Sequence, residues 1–203
     1  MRIIFKDYMD NEITEQQTAL LGEYSKVFVM PGDVVKREDF FDYNRLQNIH
    51  YYKDFDETED EATEKLNTYN VPFSIREREK YGDFTIIRVN SYTANQFTEK
   101  WKFLADANDF ILCTQPINII SGEPVYEQTA KYLGKYSNDL EPNYCRFNFD
   151  SDGQVTYCAY NYVRDYESEL FELDRLSMIR EKFNLTDEQY NYYLTADLLP
   201  PLK

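Results

Sequence analysis

The sequence predicts an α+β fold: a mainly antiparallel sheet built from hairpins and packed with about four helices, in a single domain spanning residues 1–203. Three observations lead there. Pairs of β-forming arms flank short polar turns, other stretches carry apolar residues at three- and four-residue spacing, and neither a fixed-period repeat nor a linker interrupts the chain. At 203 residues, with 42% apolar and 29% charged side chains, the chain can bury a core without metal or disulfide staples.

In order, residues 2–8 read as a first strand turned by Asp10-Asn11, and residues 15–24 are ambiguous, with a short helix as one reading. Residues 26–30 form a strand stopped by Pro31-Gly32-Asp33. Residues 34–41 and 46–52 are rich in β-formers and flank the polar turn Asp42-Tyr43-Asn44-Arg45, a hairpin pattern. Residues 54–64 hold seven carboxylates and one aromatic, and suit either a solvated loop or the acidic first turns of a helix reaching Leu66 and Tyr69. A second hairpin is read from residues 73–80 and 84–92 around Tyr81-Gly82-Asp83.

For residues 93–107 the spacing of Phe97, Trp101 and Leu104 predicts a helix, with Thr93 or Asn95 as its cap. Residues 110–113 form a short strand. Residues 116–142 are the least readable, with a helix placed near 126–133. The third hairpin is the clearest: Cys145, Phe147 and Phe149 alternate with polar residues, Ser151-Asp152-Gly153 turns, and Val155, Tyr157 and Ala159 alternate on the way back. Residues 166–183 read as a helix with Leu173, Leu176, Ile179 and Phe183 on one face. A last helix begins at Thr186, with Gln189 placed as in a capping box, and runs to about Asp197 before Pro200-Pro201.

Composition narrows the function classes. The net charge is −15, from 37 acidic and 22 basic residues. Phosphate backbones and anionic lipid need neutralising cations, so direct nucleic-acid or membrane binding is disfavoured and a cationic protein partner is favoured. No stretch of eighteen uncharged apolar residues exists, and the apolar N-terminal run meets charge at once, so a cytoplasmic location is expected. Cys113, Cys145 and Cys158 do not form a secreted disulfide framework, and Asn184-Leu185-Thr186 reads as a helix start despite matching a glycosylation sequon.

Reactive constellations are not found. His50 is the only histidine, on a predicted strand, and reads as structural; no zinc spacing surrounds it. Asn148–Gly153 opens like a calcium loop, but Ala159 stands where a bidentate Glu is required. Phosphate-cradling glycine motifs and nucleophile elbows are missing, so neither cofactor nor catalytic residues are assigned. The candidate partner-binding residues are Asp54, Phe55, Asp56, Glu57, Glu59, Asp60 and Glu61, where carboxylates can pair with Lys or Arg around one apolar anchor. A second acidic stripe, Asp165, Glu167, Glu169, Glu172 and Asp174, reads as the wet face of its predicted helix.

The tyrosine-rich hairpins at 34–52 and 144–162, the latter with its Phe-Asp-Ser-Asp-Gly turn, together with the carboxylate cluster, resemble the immunity proteins of bacterial toxin systems. The resemblance implies a non-enzymatic, cytoplasmic protein that blocks a toxin domain, often a basic nuclease, in a one-to-one complex. The alternatives are a DNA-mimic inhibitor or adaptor, and an enzyme of unrecognised type.

Overall fold

Strand alternation organises the chain much further than the hairpin patterns suggest. The computed structural model describes residues 1–94, 96–135, 143–161, 168–172 and 175–200. The strands are β1 (Arg2–Asp7), β2 (Glu12–Ile13), β3 (Glu23–Met30), β4 (Val34–Asp42), β5 (Arg45–Tyr52), β6 (Phe73–Tyr81), β7 (Phe84–Thr93), β8 (Gln96–Ala105), β9 (Ile111–Ile117), β10 (Ala130–Lys135), β11 (Asn143–Phe149), β12 (Val155–Asn161) and β13 (Ser168–Glu172). Among the described residues there are four α-helices: α1 (Glu15–Thr18), α2 (Glu59–Asn67), α3 (Leu176–Phe183) and α4 (Asp187–Leu194). Hydrogen-bonded neighbours follow the order β2–β1–β3 and then β4 to β13 in sequence, a mostly antiparallel arrangement.

Two compact units are formed, Met1–Arg78 with Arg88–Glu99, and Glu79–Ile87 with Lys100–Lys203. The chain passes between them inside β6, β7 and β8, so no loop composition marks the division.

In the first unit, β5 and β6 run parallel, with Ile49 opposite Phe73 and Tyr51 opposite Ile75. Parallel neighbours need a crossover, and residues 53–72, which carry α2, supply it. Thr58 starts that helix with a capping box: its hydroxyl accepts from the Glu61 amide while the Glu61 carboxylate accepts from the Thr58 amide. Ala62 and Leu66 then cover Ile49, Tyr51, Phe73 and Ile75.

In the second unit, the register from β9 to β13 aligns Cys113, Lys131, Phe147, Cys158 and Phe171 across one face. Leu176 and Ile179 of α3 and Tyr192 and Tyr193 of α4 close over it, Tyr193 stacked on Phe147 at 4.9 Å. All three cysteines are buried free thiols. Asn184 ends α3 in the left-handed region at φ 50° and Thr186 caps α4, so each polar end of the sequon has a helix-terminal task.

Several expected elements are overturned. Residues 93–107 are not a helix: β8 occupies most of them, and strand alternation puts Leu104, fully buried, on the opposite side from Phe97 and Trp101. The four-and-three spacing is coincidental, and the β-formers Trp101 and Phe103 stand opposite Pro116 and Thr114 of β9 instead. The helix expected near 126–133 is a single 3₁₀ turn, Tyr126–Gln128, followed by β10. The helix expected over 166–183 begins only at Leu176; Ser168–Glu172 is β13, an antiparallel partner of β12. Glu169 and Glu172 therefore lie on a strand, and Asp165, Glu167 and Asp174 fall outside the described residues, as does Asn95.

Lys131 is the anomaly of the second core. It is fully buried, donates from Nζ to the Tyr192 carbonyl, and lies 3.4 Å from the Tyr192 ring centroid. Burial pulls its pKa down to about 7, against the opposing influence of Cys113 and Asp197. The unfolded chain keeps this proton up to the ordinary 10.5, so folding releases it between those values and stability rises with pH there. We expect chemical denaturation to show stability rising with pH above about 7 because of this group, by on the order of 1 kcal/mol per pH unit at most. Lys131→Met should flatten that slope; an unchanged slope would assign it elsewhere.

Candidate interaction surface

The acidic segment between β5 and α2 is less uniform than its composition suggests. Glu57 turns inward, its side chain 8% exposed. It accepts from the Tyr51 hydroxyl at 2.9 Å, from Lys65 Nζ and from the Asp54 amide at 3.2 Å, and it pairs with Lys36 at 3.5 Å. Desolvation opposes its ionisation, but these donors outweigh it and hold the carboxyl at about 2. Asp54 pairs with Lys36 at 2.8 Å, and the Lys36 ammonium lies 4.6 Å from the Tyr51 ring centroid. Glu59 accepts from Asn90 Nδ2 at 2.8 Å and from the Tyr92 hydroxyl. Glu61 serves the Thr58 cap.

Four of the seven candidate residues are thus engaged within the protein, and their engagement fixes the loop. Phe55 is fully exposed, and Asp56 and Asp60 are exposed without an ion pair among the described residues. What faces solvent is one aromatic ring flanked by carboxylates on a segment pinned by Glu57.

A second polar constellation, which sequence spacing could not indicate, spans neighbouring strands of the same unit. Register places Glu38, His50 and Ser74 side by side, with Tyr52 beside Arg76. Arg76 Nη2 lies 3.1 Å from His50 Nε2 and Asn48 Nδ2 lies 3.4 Å from it. A guanidinium can only donate, so Nε2 accepts, and the ring proton sits on Nδ1, 3.9 Å from Glu38 Oε2. Burial first, and then the Arg76 charge, push the imidazole down to about 3. Burial raises the Glu38 carboxyl against a hydrogen bond from Ser25. A neutral imidazole whose free nitrogen already faces a cation is a poor general base at neutral pH. Only the fold could reveal this, because the partners come from β4, β5 and β6.

In the turn between β11 and β12, Asp150 Oδ1 accepts from the Asp152 amide at 3.0 Å and the Gln154 amide at 2.8 Å. Asp150, the third position of the stretch that opens like a calcium loop, is occupied in closing a turn. Among the described residues no cluster of three or more His, Cys, Asp or Glu could hold a metal ion, and no helix is long and apolar enough to cross a membrane.

Comparison with protein-family models, curated proteins and solved structures finds no match.

Two measurements check these geometries. Glu57→Gln should cost about 1–3 kcal/mol by weakening charge-assisted hydrogen bonds, while Asp56→Asn, at an exposed site, should be nearly neutral in the same denaturation assay. The Glu57 contribution is full above its ordinary pKa of 4.5 and is lost as pH falls toward 2. The imidazole resonances of His50 should stay flat in an NMR titration from about pH 5 to 8, and Arg76→Met should raise the pKa; a midpoint near the unperturbed 6.5 would refute the Arg76 contact.

Proposed function

We propose that this chain is a non-enzymatic acidic binding protein of the immunity type, which neutralises a toxin domain by gripping its cationic surface. The observation that carries this reading is the pinned segment that holds Phe55 fully exposed beside Asp56 and Asp60, on a chain of net charge −15. Charge complementarity of this kind raises association rates and selects cationic partners. An exposed aromatic on a preordered loop supplies an anchor at low entropic cost. The Arg76-blocked imidazole of His50 supports a binding role over acid–base chemistry.

The test is co-expression with the product of the gene immediately upstream. A one-to-one complex should co-elute and weaken at least tenfold between about 50 and 500 mM salt. Phe55→Ala with Asp56→Asn should accelerate its dissociation. A complex indifferent to salt, or no complex, would overturn the reading.

A further inference from the structure

A second surface, at the other end of the first unit, has the character of a protein contact. β5 runs from Arg45 beside the β4–β5 turn to Tyr52 beside the acidic segment, and its eight residues separate the two ends by roughly 25 Å. At the Arg45 end, Asp7 of β1 is opposite Tyr24 of β3, and Glu23 of β3 is opposite Asp42 of β4. Three connections therefore meet there: the β1–β2 turn, the link from α1 to β3, and the β4–β5 turn.

Each connection carries large side chains into solvent. Tyr8 is 75% exposed, Met9 66%, Leu20 86% and Tyr43 78%. None of these segments is loose. Asp7 Oδ1 accepts from the amides of Met9 and Asn11, each at 2.9 Å. Thr14 and Gln17 form a capping box on α1, and the Leu20 amide donates to the Gln17 carbonyl at 3.0 Å. The Tyr43 amide donates to the Gly22 carbonyl at 2.6 Å, and the Tyr43 ring comes within 3.6 Å of where a Gly22 Cβ would stand. Tyr24 donates its hydroxyl to Asn44 Oδ1 at 3.1 Å and stacks on Phe41 at 4.9 Å. Tyr43 holds φ 44° and Asn44 φ 61°, the tight hairpin geometry that favours Asn-Gly. A bulky aromatic in the first of those positions has no local conformational advantage.

The charge around these side chains is mainly negative, although Lys6 pairs with Asp10 at 2.8 Å and the exposed Arg45 stands opposite Asp42. Residues 7–24 contain Asp7, Asp10, Glu12, Glu15 and Glu23 and no lysine or arginine. Glu12, Glu15 and Glu23 are exposed and carry no ion pair among the described residues. Exposed Tyr and Met side chains on preordered backbone, rimmed by unpaired carboxylates, match the composition of interface centres more than that of a solvated rim.

The geometry points to this sheet end, with Tyr8, Met9, Leu20 and Tyr43 as apolar anchors and Glu12, Glu15 and Glu23 as a rim, as a docking surface for a cationic protein with apolar side chains between its basic residues. The assignment rests on the reading of the chain as a binder of cationic proteins, and adds a contact surface remote from Phe55. A second copy of the chain is disfavoured, because two chains of net charge −15 repel.

The experiment uses the isotope-labelled full chain and two probes, a short peptide of alternating arginine and leucine and an oligolysine of equal charge. The arginine–leucine peptide should bind about tenfold tighter than oligolysine, with amide shifts concentrated at residues 8–12, 20–24 and 43–45. Tyr8→Ser with Leu20→Ser, both at exposed sites, should abolish that preference, and Tyr43→Asn, which suits the turn, should weaken binding while preserving the fold. Preferential binding with shifts confined to residues 54–61 would overturn this surface and leave the proposed function standing. Equal binding of both probes would remove the apolar anchors and overturn the surface. No binding of either would count against the surface and the proposed function together.

Discussion

A sheet with one apolar face cannot stand in water without a roof, and each unit meets that requirement with short helices. In the first, α2 is only nine residues long, too short to be stable alone, and it persists because Ala62 and Leu66 bury against Ile49, Tyr51, Phe73 and Ile75. In the second, α3 and α4 depend in the same way on the face that carries Phe147 and Cys158. The helices that cover the sheets are thus products of the sheets, and their positions follow from strand register.

That dependence links packing to the candidate surface. The crossover that makes β5 and β6 parallel also carries the acidic segment, so the loop holding Phe55 is anchored at one end by β5 and at the other by the Thr58 cap. Glu57 joins the two by reaching Tyr51, Lys65 and the Asp54 amide. Carboxylates that looked equivalent in a row therefore divide into those that build the loop and those that face solvent. Composition counts charge, and only geometry tells which of it is already spent.

The same division governs the polar face of His50. Its ionisation is suppressed by burial and by a neighbour twenty-six residues away in sequence, Arg76, brought alongside by the parallel pairing. Lys131 is the counterpart in the second unit, an amine held among aromatic rings and a backbone carbonyl with no carboxylate in hydrogen-bond contact among the described residues. In each case the chemistry of the group is set by strand neighbours that no local motif connects.

What the amino-acid sequence determined by itself were features carried by adjacent residues. They include the hairpin of β4 and β5, the hairpin of β11 and β12 with its Asp-Gly turn, the Thr186 cap and the negative charge. Turn chemistry, alternation and capping act over three or four residues, so they are written locally. Tertiary structure alone decided that residues 96–105 and 130–135 are strands, since Phe97, Trp101 and Leu104 satisfy a helical spacing as well, and only pairing with neighbouring strands favours the extended form. It also decided the parallel step between β5 and β6, the division into two units inside continuous strands, and which carboxylates stay free. These rest on contacts between residues far apart in the chain, whose energies outweigh the few tenths of a kcal/mol per residue that local propensity contributes.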